Sequence, residues 1–255
     1  MSIQKIVVVG YPKSGNTWLT RLVAQILDCP VAGFLDDLNN NEIAIEGSDR
    51  NSDYEVFKAH HSWDKLKDLI HTIDKLIYVV RDPRDVAVSG AYYFNMDKFK
   101  DREQLESQDK FAAMVKTVSS GGSYSWCDVS WAEHVRGFLA QHSNVLIVRY
   151  EDLLIDGYTH LERIASFIGI TISRQNIHQA LDLQNFNLKK EKSIASYDKR
   201  NIRLLRAGKS GQYLNTLKNK EIHEIECSAF NEMVKLGYSI TGEDKKAASS
   251  TIVNV

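Results

Sequence analysis

The chain has 255 residues, of which 43% are hydrophobic and 25% are charged, and a formal net charge of −1. This composition is typical of a soluble globular protein, and the near-neutral charge argues against bulk binding to nucleic acid or to a membrane surface. The three cysteines are far apart and odd in number, which excludes a disulfide framework and favours a reducing, cytoplasmic setting. No apolar run is long enough to predict a membrane span, and a strand begins too early for a signal peptide.

In the first part of the chain, short apolar runs alternate with amphipathic stretches. The predicted elements are, in order, a strand at 6–9, a helix from about residue 17, a strand at 54–58, a short helix at 63–70, a strand at 76–80 and a helix at 85–94. A polar loop is predicted between residues 34 and 53. The apolar runs carry the β-branched residues typical of buried strands.

The second part of the chain continues this alternation. Helices are predicted at 104–118, 131–139, 158–168, 177–183 and 218–236, and a strand at 145–148. Residues 185–216 are polar and lysine-rich without a clear period, which predicts a long loop that becomes ordered on a ligand. The pattern predicts one α/β domain over residues 1–240, with a parallel sheet and helices on both faces, followed by a loose tail at 241–255.

The segment "VVVGYPKSGNTW" at residues 7–18 combines a strand, a glycine-rich turn and the start of a helix. Such a turn presents several backbone N–H groups to one point, and the helix dipole favours an anion there. A nucleotide triphosphatase would carry its lysine at position 16, where this chain has Asn16. The lysine is Lys13 instead, and the strand at 76–80 ends in the cation Arg81. These features predict an anionic donor bound without a metal; the alternative is a tight turn with an exposed lysine.

These segments resemble the cytosolic-type sulfotransferase family, which transfers a sulfuryl group from 3′-phosphoadenosine 5′-phosphosulfate (PAPS). "YPKSGNTW" is similar to the family's 5′-phosphosulfate loop, usually YPKSGTTW, with Asn16 as the one substitution. "YVVRDPRDVAVSGAYYF" resembles the 3′-phosphate segment, in which Arg81 and Ser89 are the matching arginine and serine. "FKAHHSW" resembles the strand that carries the family's catalytic K-x-H, here Lys58 and His60.

Two later segments extend the resemblance along the chain. "RYED" matches a family tyrosine near the adenine, here Tyr150, and "LLRAGKSGQY" resembles the late R-K-G-x-x-G-D-W motif. Ala207 replaces the lysine of that motif, and Lys209, two places later, is a candidate substitute. Tyr213 replaces its tryptophan. The family's dimerisation motif is not recognisable, so the oligomeric state stays open.

The resemblance implies PAPS as co-substrate, 3′,5′-ADP as product, no metal and a small-molecule acceptor. It implies that Lys13 stabilises the leaving 5′-phosphate, that His60 is the general base and that Lys58 bridges towards the sulfuryl oxygens. Arg84 and Asp85 are expected to have structural roles. The implied nucleotide-binding residues are Lys13, Ser14, Gly15, Asn16, Thr17, Trp18, Arg81, Ser89, Tyr150, Phe186, Arg206, Ala207 and Gly208.

Structural roles are the alternatives for several of these residues. If His60 has no catalytic role, it is a core or surface histidine. If Lys58 has none, it is an ordinary exposed lysine at a strand end. His61 is a rival base, although the alternation of a strand turns it away from the side that carries His60. Trp18 and Phe186 are expected to stack on adenine, and the alternative is that both are core aromatics.

The segment 34–55 lies where the family usually lines its acceptor pocket. Its acidic residues are Asp36, Asp37, Glu42, Glu46, Asp49, Asp53 and Glu55, against the single cation Arg50. These acids form either a solvated loop or a site for a polar or cationic acceptor, such as an amine- or guanidine-bearing natural product. A Mg²⁺-dependent nucleotide kinase and a non-catalytic nucleotide-binding module are the alternative functions. Neither the acceptor nor the choice between O- and N-sulfation follows from the sequence.

Overall fold

The computed structural model describes residues 3–37, 43–94, 110–122, 128–141, 145–197 and 205–241. The predicted tail after residue 241, Glu42 of the acidic segment and Cys127 lie outside these ranges. Within them, no helix combines the length and the apolar character needed to cross a membrane.

Five parallel strands form the central sheet, which confirms the predicted α/β fold. They are β1 (Gln4–Val9), β2 (Val31–Phe34), β3 (Tyr54–Ala59), β4 (Lys75–Val80) and β5 (Val145–Arg149). Their order is β2-β3-β1-β4-β5, so the chain changes direction across the sheet at β1. Sequence reasoning missed β2 because its apolar run is short and is interrupted by Gly33, whose φ of 120° is left-handed.

The described residues also form helices, some in each part of the chain. They are α1 (Asn16–Ile26), α2 (Trp63–Leu66), α3 (Pro83–Tyr93), α4 (Lys110–Ser120), α5 (Trp131–Leu139), α6 (Tyr150–Ile155), α7 (Gly157–Ile168), α8 (Arg174–Leu183), α9 (Phe186–Ala195) and α10 (Asn219–Lys235). Short 3₁₀ turns cover Ile70–Thr72 and Gln212–Asn215.

The predicted long loop at 185–216 is wrong in its first part, because α9 begins at Phe186. The Asn185 side chain caps this helix by accepting hydrogen bonds from the N–H groups of Asn187 and Leu188. Such a cap stabilises a helix of any composition. Most of α9 is exposed or half-buried, so the helix has no broad apolar stripe for a periodicity argument to detect.

The described chain consists of two compact units. The first comprises Met1–Arg81 and Gly137–Lys209 and contains the sheet. Its core packs β-branched strand residues against an apolar stripe of α1, and removing such side chains from water is the main stabilising contribution. The core includes Ile6, Val8, Leu19, Leu22 and Val23.

The second unit comprises Asp82–Arg136 and Ser210–Val255, and a buried charge network joins two of its helices. Arg84 forms ion pairs of 2.6 Å with both Asp82 and Glu226, and Asp82 also caps α3 by accepting from the Arg84 N–H. Burial acts to lower the pKa of Arg84, but hydrogen bonding to Asp82 and Glu226 raises it overall. Asp85 accepts hydrogen bonds from the N–H groups of Gly211 and Tyr213. The structural roles expected for Arg84 and Asp85 are therefore confirmed.

Strand register decides which residues meet at the carboxyl edge of the sheet. Val9 pairs with Ala59 across β1 and β3, so Gly10 and His60, the next residues, leave the sheet side by side. Val80 pairs with Arg149 across β4 and β5, which places Arg81 beside Tyr150. Ligands of open α/β sheets bind at this edge, where the strand order reverses.

Candidate active site

Gly10 and Gly15 are required by the close packing of the loop that follows β1. A Cβ at Gly10 would lie 2.3 Å from the carbonyl oxygen of Val79 and 2.5 Å from Asn16 Oδ1. Gly15 has a left-handed φ of 99°, and a Cβ there would lie 2.6 Å from the Tyr150 ring. Both glycines therefore allow approaches that no side chain permits.

Lys13 and Ser14 give this loop the properties of an anion site. Lys13 is half-buried and has a left-handed φ of 73°, a strained conformation for a residue with a side chain and one that is common at functional sites. Ser14 is fully buried, and its Oγ has no hydrogen-bond partner within the described ranges. Gly15 caps α1 without a side-chain hydrogen bond, which leaves first-turn N–H groups for a ligand. A 5′-phosphosulfate fits this set of donors.

His60 is held against the same loop. Its Nδ1 lies 2.8 Å from the carbonyl oxygen of Gly10. Asn16 is 2% exposed and donates from Nδ2 to the carbonyl oxygens of Gly10 at 3.3 Å and Tyr11 at 3.0 Å. The same Nδ2 lies 3.2 Å from His60 Nδ1. Of the two structural alternatives for His60, a core or a surface histidine, these contacts of a half-buried ring do not fit the surface one.

Phe34, at the end of β2, lies close to three candidate side chains of the site. Its ring centroid is 5.6 Å from that of His60 and 6.1 Å from that of His61, and the Lys58 ammonium lies 6.0 Å from it. Lys58 is 2% exposed, so the alternative of an ordinary exposed lysine is wrong. Strand alternation does not separate His61 from His60, because β3 ends at Ala59.

Arg81 connects the loop after β1 with the late segment of the chain. One guanidinium nitrogen donates to the carbonyl oxygen of Lys13 at 3.3 Å and another donates to that of Lys209 at 2.9 Å. The guanidinium also lies 4.5 Å from the centroid of the Tyr150 ring, a cation–π distance. The contact of Lys209 with Arg81 thus uses its backbone, while its side chain is exposed.

Two aromatic residues surround the start of α1. The rings of Trp18 and Tyr150 meet edge to face at 5.7 Å, and Tyr150 is buried while Trp18 is half-buried. Thr17, beside Trp18, is also half-buried. The structure brings Tyr150 against both Trp18 and Gly15. Trp18 also packs against the hydrophobic core, as its structural alternative implies, and its contact with adenine stays a prediction.

The late segment packs on α9. Gly208 has a left-handed φ of 60°, and a Cβ there would lie 2.5 Å from the Phe186 ring, so this ring lies directly on the Gly208 backbone. Lys190 donates to the carbonyl oxygen of Arg206 at 3.1 Å. Arg206 and Ala207 are half-buried. Ser89 lies on α3 in the second unit and is half-buried.

A model of the sulfotransferase domain family matches residues 4–236. The chain belongs to this sulfotransferase family. Family membership confirms the predicted sulfuryl transfer with PAPS as donor and 3′,5′-ADP as product, and it excludes the kinase and the non-catalytic module. The matched segment includes residues of both compact units.

Individual sulfotransferases are similar to the chain over most of their length. It is 29% identical over 227 residues to 3-alpha-hydroxysteroid sulfotransferase of Cavia porcellus, covering 82% of this chain and 76% of that protein. It is 25% identical over 231 residues to Sulfotransferase 2A1 of Homo sapiens, covering 83% of this chain and 78% of that protein.

Solved sulfotransferase structures share the fold. Mouse sulfotransferase SULT7A1, complexed with PAP, has a TM-score of 0.67 and 23% identity, with 91% of this chain and 85% of that chain covered. Retinol dehydratase, in complex with androsterone and the inactive cofactor PAP, has a TM-score of 0.65 and 21% identity, with 91% of this chain and 81% of that chain covered.

Sequence reasoning missed three features of the site. These are the contact of Asn16 with His60, the closeness of Phe34 to both His60 and His61, and the use of Arg81 to bind two loop carbonyls. The first two depend on β2, β3 and β1 being neighbours in the sheet. The substitution at Asn16 was the available signal, because an amide has two N–H donors where the usual threonine has one O–H donor.

Proposed function

We propose that this sulfotransferase moves the sulfuryl group of PAPS to a hydroxyl or amine of a small-molecule acceptor, with His60 as the general base. The observation that carries the proposal is the position of His60 beside the anion-binding loop, with Nδ1 at 2.8 Å from the Gly10 carbonyl oxygen. This position supports the proposal, because an imidazole beside an anion-binding loop is a side chain suited to take a proton from the acceptor.

In the transfer, the acceptor oxygen or nitrogen forms a bond to sulfur while the bond from sulfur to the bridging oxygen breaks. The acceptor proton moves to His60, and the electron pair of the broken bond stays on the 5′-phosphate of 3′,5′-ADP. Lys13, the N–H groups at the start of α1 and the Ser14 and Thr17 hydroxyls stabilise that developing charge. Lys58, buried beside Phe34, stabilises the sulfuryl oxygens.

Arg81 and Ser89 bind the 3′-phosphate in this proposal, together with Arg206, Ala207 and Gly208 of the late segment. Arginine suits the role because its planar fork meets two phosphate oxygens at once. Trp18, Tyr150 and Phe186 enclose the adenine. The packing of Phe186 on Gly208 and the contact of Tyr150 with Gly15 support this arrangement.

The acceptor is best described as a small alcohol or amine that packs on Phe34. The relatives named for hydroxysteroids support an apolar acceptor that carries a hydroxyl. A cationic acceptor is the second candidate, because the exposed Asp36 and Asp37 follow Leu35, whose N–H donates to the Lys58 carbonyl oxygen at 2.8 Å. Asp36→Asn and Asp37→Asn distinguish the two: only a cationic acceptor requires KM to rise when these charges are removed.

A transfer assay with labelled PAPS and a panel of alcohols and amines tests the reaction, with His60→Asn as the decisive variant. We expect a product carrying one added sulfuryl group, and a fall in kcat of roughly 100- to 10,000-fold in the variant. Affinity for 3′,5′-ADP, measured by calorimetry, is expected to be unchanged. A His60→Asn enzyme with wild-type kcat would contradict the proposed base.

A further inference from the structure

Two groups surround Nδ1 of His60, and their hydrogen-bonding chemistry differs. The carbonyl oxygen of Gly10 at 2.8 Å can only accept a hydrogen bond. Asn16 Nδ2 at 3.2 Å can only donate one. Nδ1 therefore either carries a hydrogen that it donates to Gly10 or is bare and accepts from Asn16.

The orientation of the Asn16 amide follows from its other contacts. Nδ2 lies within hydrogen-bond distance of the carbonyl oxygens of both Gly10 and Tyr11. Rotating the amide by half a turn would place Oδ1 against these two oxygens, where no donor is available. Both N–H groups of Asn16 are thus used by backbone carbonyls, and Oδ1 has no hydrogen-bond partner in the part of the chain that the structure describes.

With Asn16 in this orientation, the shorter of the two contacts of His60 Nδ1 decides which tautomer is favoured. If Nδ1 were bare, its lone pair would face the lone pairs of the Gly10 carbonyl oxygen at the shorter of the two distances, 2.8 Å. If Nδ1 carries the hydrogen, it donates to Gly10, while Asn16 donates to Gly10 and Tyr11. The unprotonated ring nitrogen is then Nε2.

We propose that Asn16 is a positioning residue which, through the Gly10 carbonyl, holds His60 as the Nδ1–H tautomer and so makes Nε2 the nitrogen that takes the acceptor proton. This inference rests on the proposed role of His60 as general base. The Gly10 carbonyl fixes the tautomer, as the third member of a catalytic triad does for its histidine, and Asn16 fixes the direction of that carbonyl.

Charged and titratable residues lie at or just after the ends of β1, β2 and β3, which are neighbouring strands of the sheet. They are Lys13 of the loop after β1, Lys58 and His61 on either side of His60 in sequence, and Asp36 and Asp37 after β2. A carboxylate at position 16 would lie closest to Nδ1 and would favour the charged imidazolium. The acidic limb of the pH profile of kcat therefore responds to the charge at position 16.

Nitrogen-15 spectroscopy of the histidine rings, with His60 assigned by its loss in His60→Asn, observes the tautomer directly. At a pH above the titration of His60, we expect the chemical shifts of an Nδ1–H, Nε2-bare ring. The shifts of an Nε2–H ring would overturn the proposal. If the Nε2–H shifts were found and the His60→Asn enzyme were inactive, the proposed role of His60 as general base would remain supported, and only the assignment of the tautomer would be wrong.

The positioning role is tested with Asn16→Asp and Asn16→Thr. In Asn16→Asp, the acidic limb of the pH profile of kcat is expected to move to higher pH by about 1 unit or more, because the added carboxylate favours the charged imidazolium. Asn16→Thr adds no charge and replaces two N–H donors by one hydroxyl donor, which can bind only one of the two carbonyl oxygens. The kcat is therefore expected to fall about 10- to 100-fold, with the acidic limb unmoved. Asn176→Asp, at an exposed position on α8, is the charge-matched control and leaves the profile unchanged.

Two results would overturn the positioning role. One is a wild-type pH profile in Asn16→Asp, and the other is a wild-type kcat in Asn16→Thr. Thermal unfolding of each variant shows whether it is folded. Should Asn16→Asp not fold, Asn16→Thr and the tautomer spectrum of the wild-type protein still decide the proposal.

Discussion

The two halves of the proposed nucleotide site are built in different ways. The loop after β1 is enclosed by the sheet, and its position follows from strand register, from glycines that admit no side chain and from a buried asparagine. The segment at 205–209 is half-exposed or exposed and is held by the contacts of Arg81, Lys190 and Phe186. Substitutions in the first half are therefore expected to lower stability or kcat strongly. Substitutions in the second half are expected to cause smaller changes in the affinity for the nucleotide.

Gly15→Ala is expected to have the largest effect on stability. Gly15 and Gly169 have similar left-handed φ values of 99° and 95°, but only at Gly15 does a Cβ meet another residue, the Tyr150 ring. Both substitutions carry a conformational penalty of about 1–2 kcal/mol, and Gly15→Ala adds about 1–3 kcal/mol of overpacking. Denaturant unfolding measures the difference, and equal losses in the two variants would show that the Tyr150 contact is unimportant.

Substitution of Lys13 separates catalysis from stability. Both Lys13→Gly and Lys13→Ala are expected to lower kcat about 100- to 1,000-fold, because the leaving phosphate loses its cation. Glycine relieves the left-handed backbone at this position, so Lys13→Gly should be more stable than Lys13→Ala by about 1 kcal/mol. Equal melting temperatures of the two variants would contradict the strained conformation.

Arg81→Met removes the contacts that join the two halves of the site. A charge-assisted hydrogen bond contributes about 1.5–3 kcal/mol, so 3′,5′-ADP affinity is expected to fall about 10- to 150-fold. Arg163→Met is the control, because Arg163 is exposed and donates to the Ile147 carbonyl oxygen outside the proposed site. Similar affinities for the two variants would argue against a role of Arg81 in nucleotide binding.

Lys190→Met is expected to have the smallest effect. It removes one charge-assisted hydrogen bond to the Arg206 carbonyl oxygen. Because Lys190 is half-buried and contacts the segment, not the nucleotide, we expect a loss of only about 0.5–1.5 kcal/mol in nucleotide binding. The affinity for 3′,5′-ADP should fall roughly 2- to 10-fold, with kcat little changed. A loss of 3′,5′-ADP affinity as large as that of Arg81→Met would contradict the expectation that single contacts matter less in the second half of the site.

The two halves of the site also differ in how much of their structure could be predicted from the sequence. The ends of β1, β3, β4 and β5 were predicted within a residue or two, because buried strands are continuous apolar runs. The neighbours of each strand depend on sheet order, so the pairing of Gly10 with His60 was not predictable. The helix α9 was missed because its stability comes from the Asn185 cap and from side-chain contacts rather than from a periodic apolar face.

Calorimetric titration of the wild-type protein without metal ions, using 3′,5′-ADP, 5′-AMP and then 5′-ADP with Mg²⁺, tests the central claim most directly. The account predicts that 3′,5′-ADP binds one site per chain and binds more tightly than 5′-AMP, because Arg81 and its partners contact the 3′-phosphate. A preference for 5′-ADP with Mg²⁺, or equal affinities for 3′,5′-ADP and 5′-AMP, would contradict the proposed nucleotide site.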